Sequence, residues 1–233
     1  MPLGADEQAK GECRVMAEAI LILSSKNYSS WSLRGWLLTR MSGLPFQEKS
    51  LSLDDASARE ELLLRSSSTL VPCLIHNDFS IWDTLAIAEY LNEIRPEARM
   101  YPAGQLSRAR CRSISGEMHS GFSALRSSLP MNLRSRRPEF QVWASAQADI
   151  DRICAIWREC LEASGGPFLF GGQYTVADAM YAPVCTRFET YDVELDDIAA
   201  VYCAHILAMP DMIEWTRAAT EEQGAVSELD VEF

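Results

Sequence analysis

Histidine is scarce in this chain, with three in 233 residues. His76, His119 and His205 stand too far apart for the H-x-x-x-H spacing that mounts a metal on one helix face, so no dedicated metal site is expected. Positive charge is short as well: 21 Lys and Arg face 33 Asp and Glu, for a formal charge of -12. Phosphate binding needs a broad cationic surface with counterions to release, which argues against nucleic acid as the main partner. No apolar run approaches the roughly 20 residues that span a bilayer. The opening MPLGADEQAKGECRV lacks the hydrophobic stretch of a signal peptide. A cytoplasmic protein with no membrane partner is the expectation. Paired cysteines are missing too. Cys13, Cys73, Cys111, Cys154, Cys160, Cys185 and Cys203 are odd in number and scattered, with no C-x-x-C, and read as free, mostly buried thiols.

What remains is an ordinary globular composition, 48% hydrophobic and 23% charged, at a length that suits two modest domains. Residues 1–16 are polar and without period, which predicts a flexible extension. The run Ala19-Ile20-Leu21-Ile22-Leu23 reads as a buried strand, and Trp31 to Leu38 as a helix stopping near Gly43. Phe46 to Leu53 fits a strand and Ala56 to Arg65 a short helix. Leu70 to Ile75 and Phe79 to Ile81 then flank a turn at His76-Asn77-Asp78, and Thr84 to Ile94 forms a further helix. The order β-α-β-α-β-β-α over 17–95 is the thioredoxin-like arrangement. A proline-bearing linker over 95–102 follows, and 104–225 is patterned as an all-helical bundle, with helices over about 105–128, 138–163, 175–190, 196–208 and 210–219. The fold class is therefore α/β followed by all-α.

Three places carry chemistry. The loop Lys26-Asn27-Tyr28-Ser29-Ser30 delivers small polar side chains to a helix start, where unpaired N–H groups and a partial positive charge stabilise an anion such as a thiolate. Ser29 or Ser30 acting as a plain helix cap explains the same residues. At Val71-Pro72 a proline interrupts a strand; it is either an ordinary edge proline or, if cis, a bend that leaves the Val71 backbone free to pair with an extended peptide. At Asp83-Thr84 a helix begins on an acid and a hydroxyl, which either cap it or together hold an α-amino acid terminus. Beyond the linker, Met118, His119, Phe122 and Arg126 recur at spacings of three and four and can share a face. Met118 and Phe122 suit core packing, while His119 and Arg126 are less natural there. The run Arg134-Ser135-Arg136-Arg137 is locally basic and reads first as a solvated loop or helix end.

The combination of NYSSWSLRGWLL, LVPCLI and WDTLAIAEYL, in this order and at these separations, resembles the glutathione-binding domain of the cytosolic glutathione transferases of bacterial type. Downstream, FGGQYTVADAM resembles that family's folding motif, with Thr175 and Asp178 as a capping box serving stability. The resemblance spans residues 18 to about 218.

The resemblance implies glutathione as co-substrate without a metal, a small-molecule electrophile as the second substrate, and a homodimer. Glutathione would pair its cysteine backbone with Val71 beside Pro72, and Asp83-Thr84 would replace the family's usual Glu-Ser pair around the γ-glutamyl group. Tyr28 and Trp31 would line the glutathione site, and the 118–126 face the second-substrate pocket. The first motif has zeta-like features: matching the zeta segment S-S-C-S-W-R-V-R at Trp31 and Arg34 places Asn27 where the activating serine would stand, so Asn27, Ser29 and Ser30 are all candidates for the thiol-activating donor. The implied function is conjugation of the glutathione thiolate to a small hydrophobic electrophile. Isomerisation of a maleylacetoacetate-like dianion and non-catalytic glutathione binding are the alternatives. No cysteine lies between Lys26 and Ser30, which disfavours disulfide chemistry.

Overall fold

The computed structural model describes residues 19–51 and 70–222. The uninterrupted apolar run Ala19–Leu23 becomes strand β1, covered on both faces as such runs are. It pairs in parallel with β2 (Phe46–Ser50) and antiparallel with β3 (Cys73–His76), and β3 pairs antiparallel with β4 (Phe79–Trp82). The sheet order is β2-β1-β3-β4, the mixed sheet of a thioredoxin-like domain. The β3–β4 turn has Asn77 and Asp78 at φ 53° and 62°, the double left-handed conformation that matches strand twist in a two-residue hairpin. The third strand begins at Cys73, three residues later than its apolar pattern predicts, because Pro72 has no N–H for a ladder. The expected helix at 56–65, the end of the second expected strand and the 1–16 extension lie outside the described residues.

Helix α1 (Ser30–Ser42) is capped by Ser29, whose Oγ accepts from the Ser32 N–H, and ends on Gly43 at φ 69°. It is buried nearly all round because the sheet covers one face and the helical domain the other. Helix α2 (Thr84–Ile94) starts on Asp83 and returns across the sheet beside α1. A short 3-10 turn at Pro96–Ala98 leads into the second domain.

There the helices are α3 (Gln105–Ser120), α4 (Ser123–Ser128), α5 (Ala144–Ser164), α6 (Val176–Thr190), α7 (Asp197–Leu207) and α8 (Pro210–Glu221). The helix expected over 105–128 is in fact two: Gly121 is extended and Phe122 sits at φ 56°, so the chain turns between α3 and α4. The pattern at 138–163 becomes a helix only from Ala144. Central α6 is buried along its length and packs on α1, α3 and α7. Its start is fixed by Asp178, whose carboxylate accepts from Thr175 N (2.8 Å), Thr175 Oγ1 (2.7 Å), Leu169 N (2.9 Å) and Tyr202 Oη (3.1 Å). Burial pushes the Asp178 carboxyl upward and these donors oppose the shift. Trp157 of α5 stands among Tyr181, Phe188 and Tyr202, at ring separations of 5.9, 5.6 and 4.8 Å. One hydrophobic core runs from Leu21 of β1 through α1 and α6 to Trp215 of α8, so the two domains share it. Across the sheet, Ile22, Leu51 and Cys73 form a smaller cluster. The six described cysteines are buried.

Candidate active site

Both chemically suggestive helix starts face the seam between the domains. At α1, the three candidate donors have separate environments. Asn27 is fully buried; its Nδ2 donates to Asn132 Oδ1 (3.0 Å) and its Oδ1 accepts from Arg134 N (3.1 Å), so its amide holds the helical domain. Ser29 caps the helix, accepting from Ser32 N (3.2 Å) and donating to Ser32 Oγ (2.9 Å). Ser30, 6% exposed, accepts from Arg187 Nη2 (3.2 Å), and no described acceptor takes its hydroxyl proton. Tyr28 is half-buried, with the Arg134 guanidinium 5.7 Å from its ring centre.

At α2, Asp83 is held at φ 74°, a left-handed backbone that is uncommon outside glycine. Its Oδ1 accepts from Leu85 N (2.8 Å) and its Oδ2 meets His119 Nε2 (2.5 Å) across the domain seam. Beside it the Thr84 hydroxyl is buried and has no hydrogen-bond partner among the described residues. A buried hydroxyl without a partner costs roughly 1–3 kcal/mol, a cost that a ligand acceptor would remove.

Trp31 joins the two starts. Its ring lies 5.1 Å from His119, and the Arg34 and Arg126 guanidinium carbons stand 4.7 and 5.0 Å from its centre. Arg34 is almost wholly buried; its Nε donates to Met180 O (2.8 Å) and its Nη1 to Ser30 O (3.5 Å). Burial and the neighbouring Arg187 and Arg126 hold its pKa well below the ordinary guanidinium value. Arg187 is depressed to about 10 by burial and by Arg126. No carboxylate pairs with any of these three arginines among the described residues, which leaves a cluster of cations in an acidic protein.

Of the face expected from 118–126, His119 and Arg126 reach Trp31, while Met118 and Phe122 are core residues at 1% and 7% exposure. The turn at Gly121–Phe122 breaks the single face that the spacing implied. The Val71-Pro72 bond is cis, and the Val71 side chain packs on the small Ile22 cluster. Gly35 of α1 lies against Pro72: a Cβ there would come within 2.4 Å of Pro72 Cγ, so the glycine is what lets α1 sit on this bend.

Sequence reasoning missed Asn132, Arg187 and Glu222 as site residues. The Glu222 carboxylate, just past α8, accepts from Ser25 Oγ (2.7 Å), Lys26 N (2.9 Å) and Asn27 N (3.1 Å), pinning the loop that leads to α1. An arginine inside the apolar stretch Val184-Cys185-Thr186-Arg187-Phe188 was a readable sign of a buried cation. Nothing local marks Glu222.

A thioredoxin-like domain bearing a cis-proline before β3, sharing its core with a helical domain, defines the glutathione-transferase fold. Solved structures agree. A glutathione transferase homolog from Burkholderia, solved with bound glutathione, matches 88% of this chain and 99% of its own at a TM-score of 0.67 and 21% identity. The Tau class glutathione S-transferase of Mangifera indica matches 88% and 96% at 0.66 and 18% identity. Among curated proteins, a probable maleylacetoacetate isomerase of Caenorhabditis elegans is 24% identical, covering 82% of this chain and 95% of its own. The maleylacetoacetate isomerase of Rattus norvegicus is 27% identical, over 75% and 81%. The family model for the glutathione S-transferase N-terminal domain matches residues 28–94, and that for the C-terminal domain matches residues 140–218. The chain belongs to the glutathione S-transferase family.

Proposed function

We propose that this protein binds glutathione across the seam and conjugates its thiolate to a small hydrophobic electrophile. The observation that carries the reading is the Thr84 hydroxyl, without a partner among the described residues, beside Asp83 at the start of α2. A γ-glutamyl carboxylate accepting from Thr84 and the helix-start N–H groups, with its ammonium near Asp83, supplies the missing partner. The peptide then extends past the Val71 backbone and brings its thiol to the start of α1.

At α1 the thiol meets the positive helix end and Ser30, whose proton is uncommitted, and Ser30 is the donor we assign to the sulfur. Lowering a thiol pKa by two units requires roughly 2.7 kcal/mol, within reach of a helix start and one or two charge-assisted hydrogen bonds. The thiolate attacks the electrophilic carbon, and the new C–S bond replaces the bond to a leaving group, such as the chloride of a chloronitrobenzene, which departs with its electron pair; the thiol proton has already left to solvent. Trp31 and the aliphatic stem of Arg126 offer the electrophile an apolar surface. A homodimer is the assembly we infer; the exposed Phe79 at the start of β4 gives a second copy an apolar side chain to cover.

A second reading has specific support. Arg34, Arg126 and Arg187, with no carboxylate partner among the described residues, suit an anionic substrate, and isomerisation of a dianionic enone, in which glutathione adds and leaves, agrees with the names of the curated relatives.

The test is calorimetric titration with glutathione for wild type, Asp83→Ala and Thr84→Val, followed by turnover of a chloronitrobenzene and of a cis dicarboxylate enone. Binding weakened in both variants with turnover of the aromatic probe supports conjugation. Turnover of the enone alone selects isomerisation. Wild type that does not bind glutathione overturns both.

A further inference from the structure

We propose that Arg187 is a positioning residue for thiol activation: it orients the Ser30 hydroxyl toward the glutathione sulfur and, as a buried cation with no counterion among the described residues, favours the thiolate. The proposal rests on the glutathione reading above.

Arg187 lies on α6 in the helical domain, 157 residues from Ser30, and is 5% exposed. Its Nη1 donates to the carbonyl oxygens of Leu129 and Arg126, at the end of α4, which fixes the guanidinium from behind. Its Nη2 donates to Ser30 Oγ at 3.2 Å. A serine oxygen that accepts from a cation has one lone pair filled, and its own proton must point elsewhere. No described residue accepts that proton, so it is left for a ligand. Ser29, one residue earlier, differs: it spends its proton on Ser32 Oγ. Hydrogen bonding to Arg187 also polarises the Ser30 O–H, making it the better donor to an anion.

The charge adds to the geometry. Arg187 stays protonated at neutral pH, with Arg34 and Arg126 as cationic neighbours and no described carboxylate nearby. Such a cluster is unfavourable until an anion enters. The thiolate is that anion: the thiol releases its proton to solvent on binding, Ser30 keeps its own, and the sulfur gains one hydrogen bond and a favourable field. In this account the helical domain takes part in activating the thiol of a tripeptide held by the other domain.

The test measures thiolate absorbance against pH for glutathione bound to wild type, Ser30→Ala, Arg187→Lys, Arg187→Met and the Ser30→Ala/Arg187→Met pair. Each variant is checked for folding by circular dichroism, and glutathione affinity is measured at about pH 5, where the thiol is protonated. Ser30→Ala and Arg187→Met are each expected to raise the bound-thiol pKa by about one unit, Arg187→Lys by less, and the double variant by less than the sum, because one acts through the other. Proton release on binding at neutral pH, read from heats in buffers of different ionisation enthalpy, should fall in parallel. Affinity at acid pH should stay within about threefold of wild type, which a merely structural role would not predict.

An unmoved thiol pKa in folded Arg187→Met overturns the proposal, as does a loss of affinity with no change in pKa. If Arg187→Met does not fold, Arg187→Lys decides, since a compact ammonium cannot reach both Leu129 and Ser30. Wild type that fails to bind glutathione sinks this proposal with the site reading; binding with unmoved pKa values sinks the role of Arg187 alone.

Discussion

The starts of α1 and α2 are built from the same local device, a short polar residue at the N-cap of a helix facing the domain seam, yet they end with opposite character. At α2 the cap is an acid, one oxygen spent on Leu85 N and the other on His119, beside a hydroxyl with no described partner. At α1 the cap is a hydroxyl, the first turn holds no acid, and three arginines converge around Ser30 and Trp31. The backbone of each end favours anions; what the second domain contributes decides the rest. His119 comes to the acidic end and Arg126 and Arg187 to the basic one. A zwitterionic head at one and a thiolate at the other is the distribution of charge along glutathione.

The contrast can be broken by substitution. Asp83→Ala removes the acid at α2 and should weaken glutathione binding about 100-fold, about 2.7 kcal/mol, in calorimetric titration. It should also lower stability by about 1 kcal/mol through the lost cap. Gly35→Ala attacks what the two ends share, the seating of α1 on Pro72. Overpacking of about 3 kcal/mol should exceed the helix-propensity gain of about 1 kcal/mol, a net loss measurable by urea unfolding.

Thr84→Val sharpens the comparison, because its two effects have opposite sign. Removing a hydroxyl without a partner should stabilise the free protein by about 1 kcal/mol, while glutathione affinity drops about tenfold. Equal stability and equal affinity would remove Thr84 from the site. Asn27→Ala separates anchoring from chemistry at the other end. We expect about 1 kcal/mol lost in urea unfolding and positive coupling to Asn132→Ala in a double-mutant cycle, with the bound-thiol pKa moved less than by Ser30→Ala.

The smallest effect sets the site thiol against those of the chain. Burial pushes Cys111 and Cys154 up to about 12, opposite to the shift proposed for glutathione. At neutral pH iodoacetamide should therefore consume bound glutathione before these residues. Because their folded pKa lies above the unfolded value near 8.5, their contribution to stability is complete below that pH and lost as pH rises toward about 12. Thermal unfolding across that window should show the decline, and Cys154→Ala should flatten it.

Local pattern determined a good deal. An unbroken apolar run of this length reads as a strand covered on both faces, and β1 is one. Asn77-Asp78 between two apolar segments specifies a hairpin, and Thr175 with Asp178 specifies the start of α6. These depend on neighbours within a few residues, which is the range over which propensity and capping act. The positions Ser29, Ser30, Asp83 and Thr84 were legible for the same reason, as helix starts. Spacing misled where a backbone turn intervenes: Met118 is already in the core on α3, and the reversal at Gly121–Phe122 takes Phe122 and Arg126 off that helix face. Tertiary structure alone decided which polar side chains are spent and which remain. Asn27 could not be separated from Ser30 until Asn132, from 105 residues away, took its amide. Nor could Ser30 be distinguished from Ser29 before Arg187 reached it from α6. Hydrogen-bond satisfaction and buried charge are sums over everything that arrives at a point in space, and sequence separation carries no record of that sum.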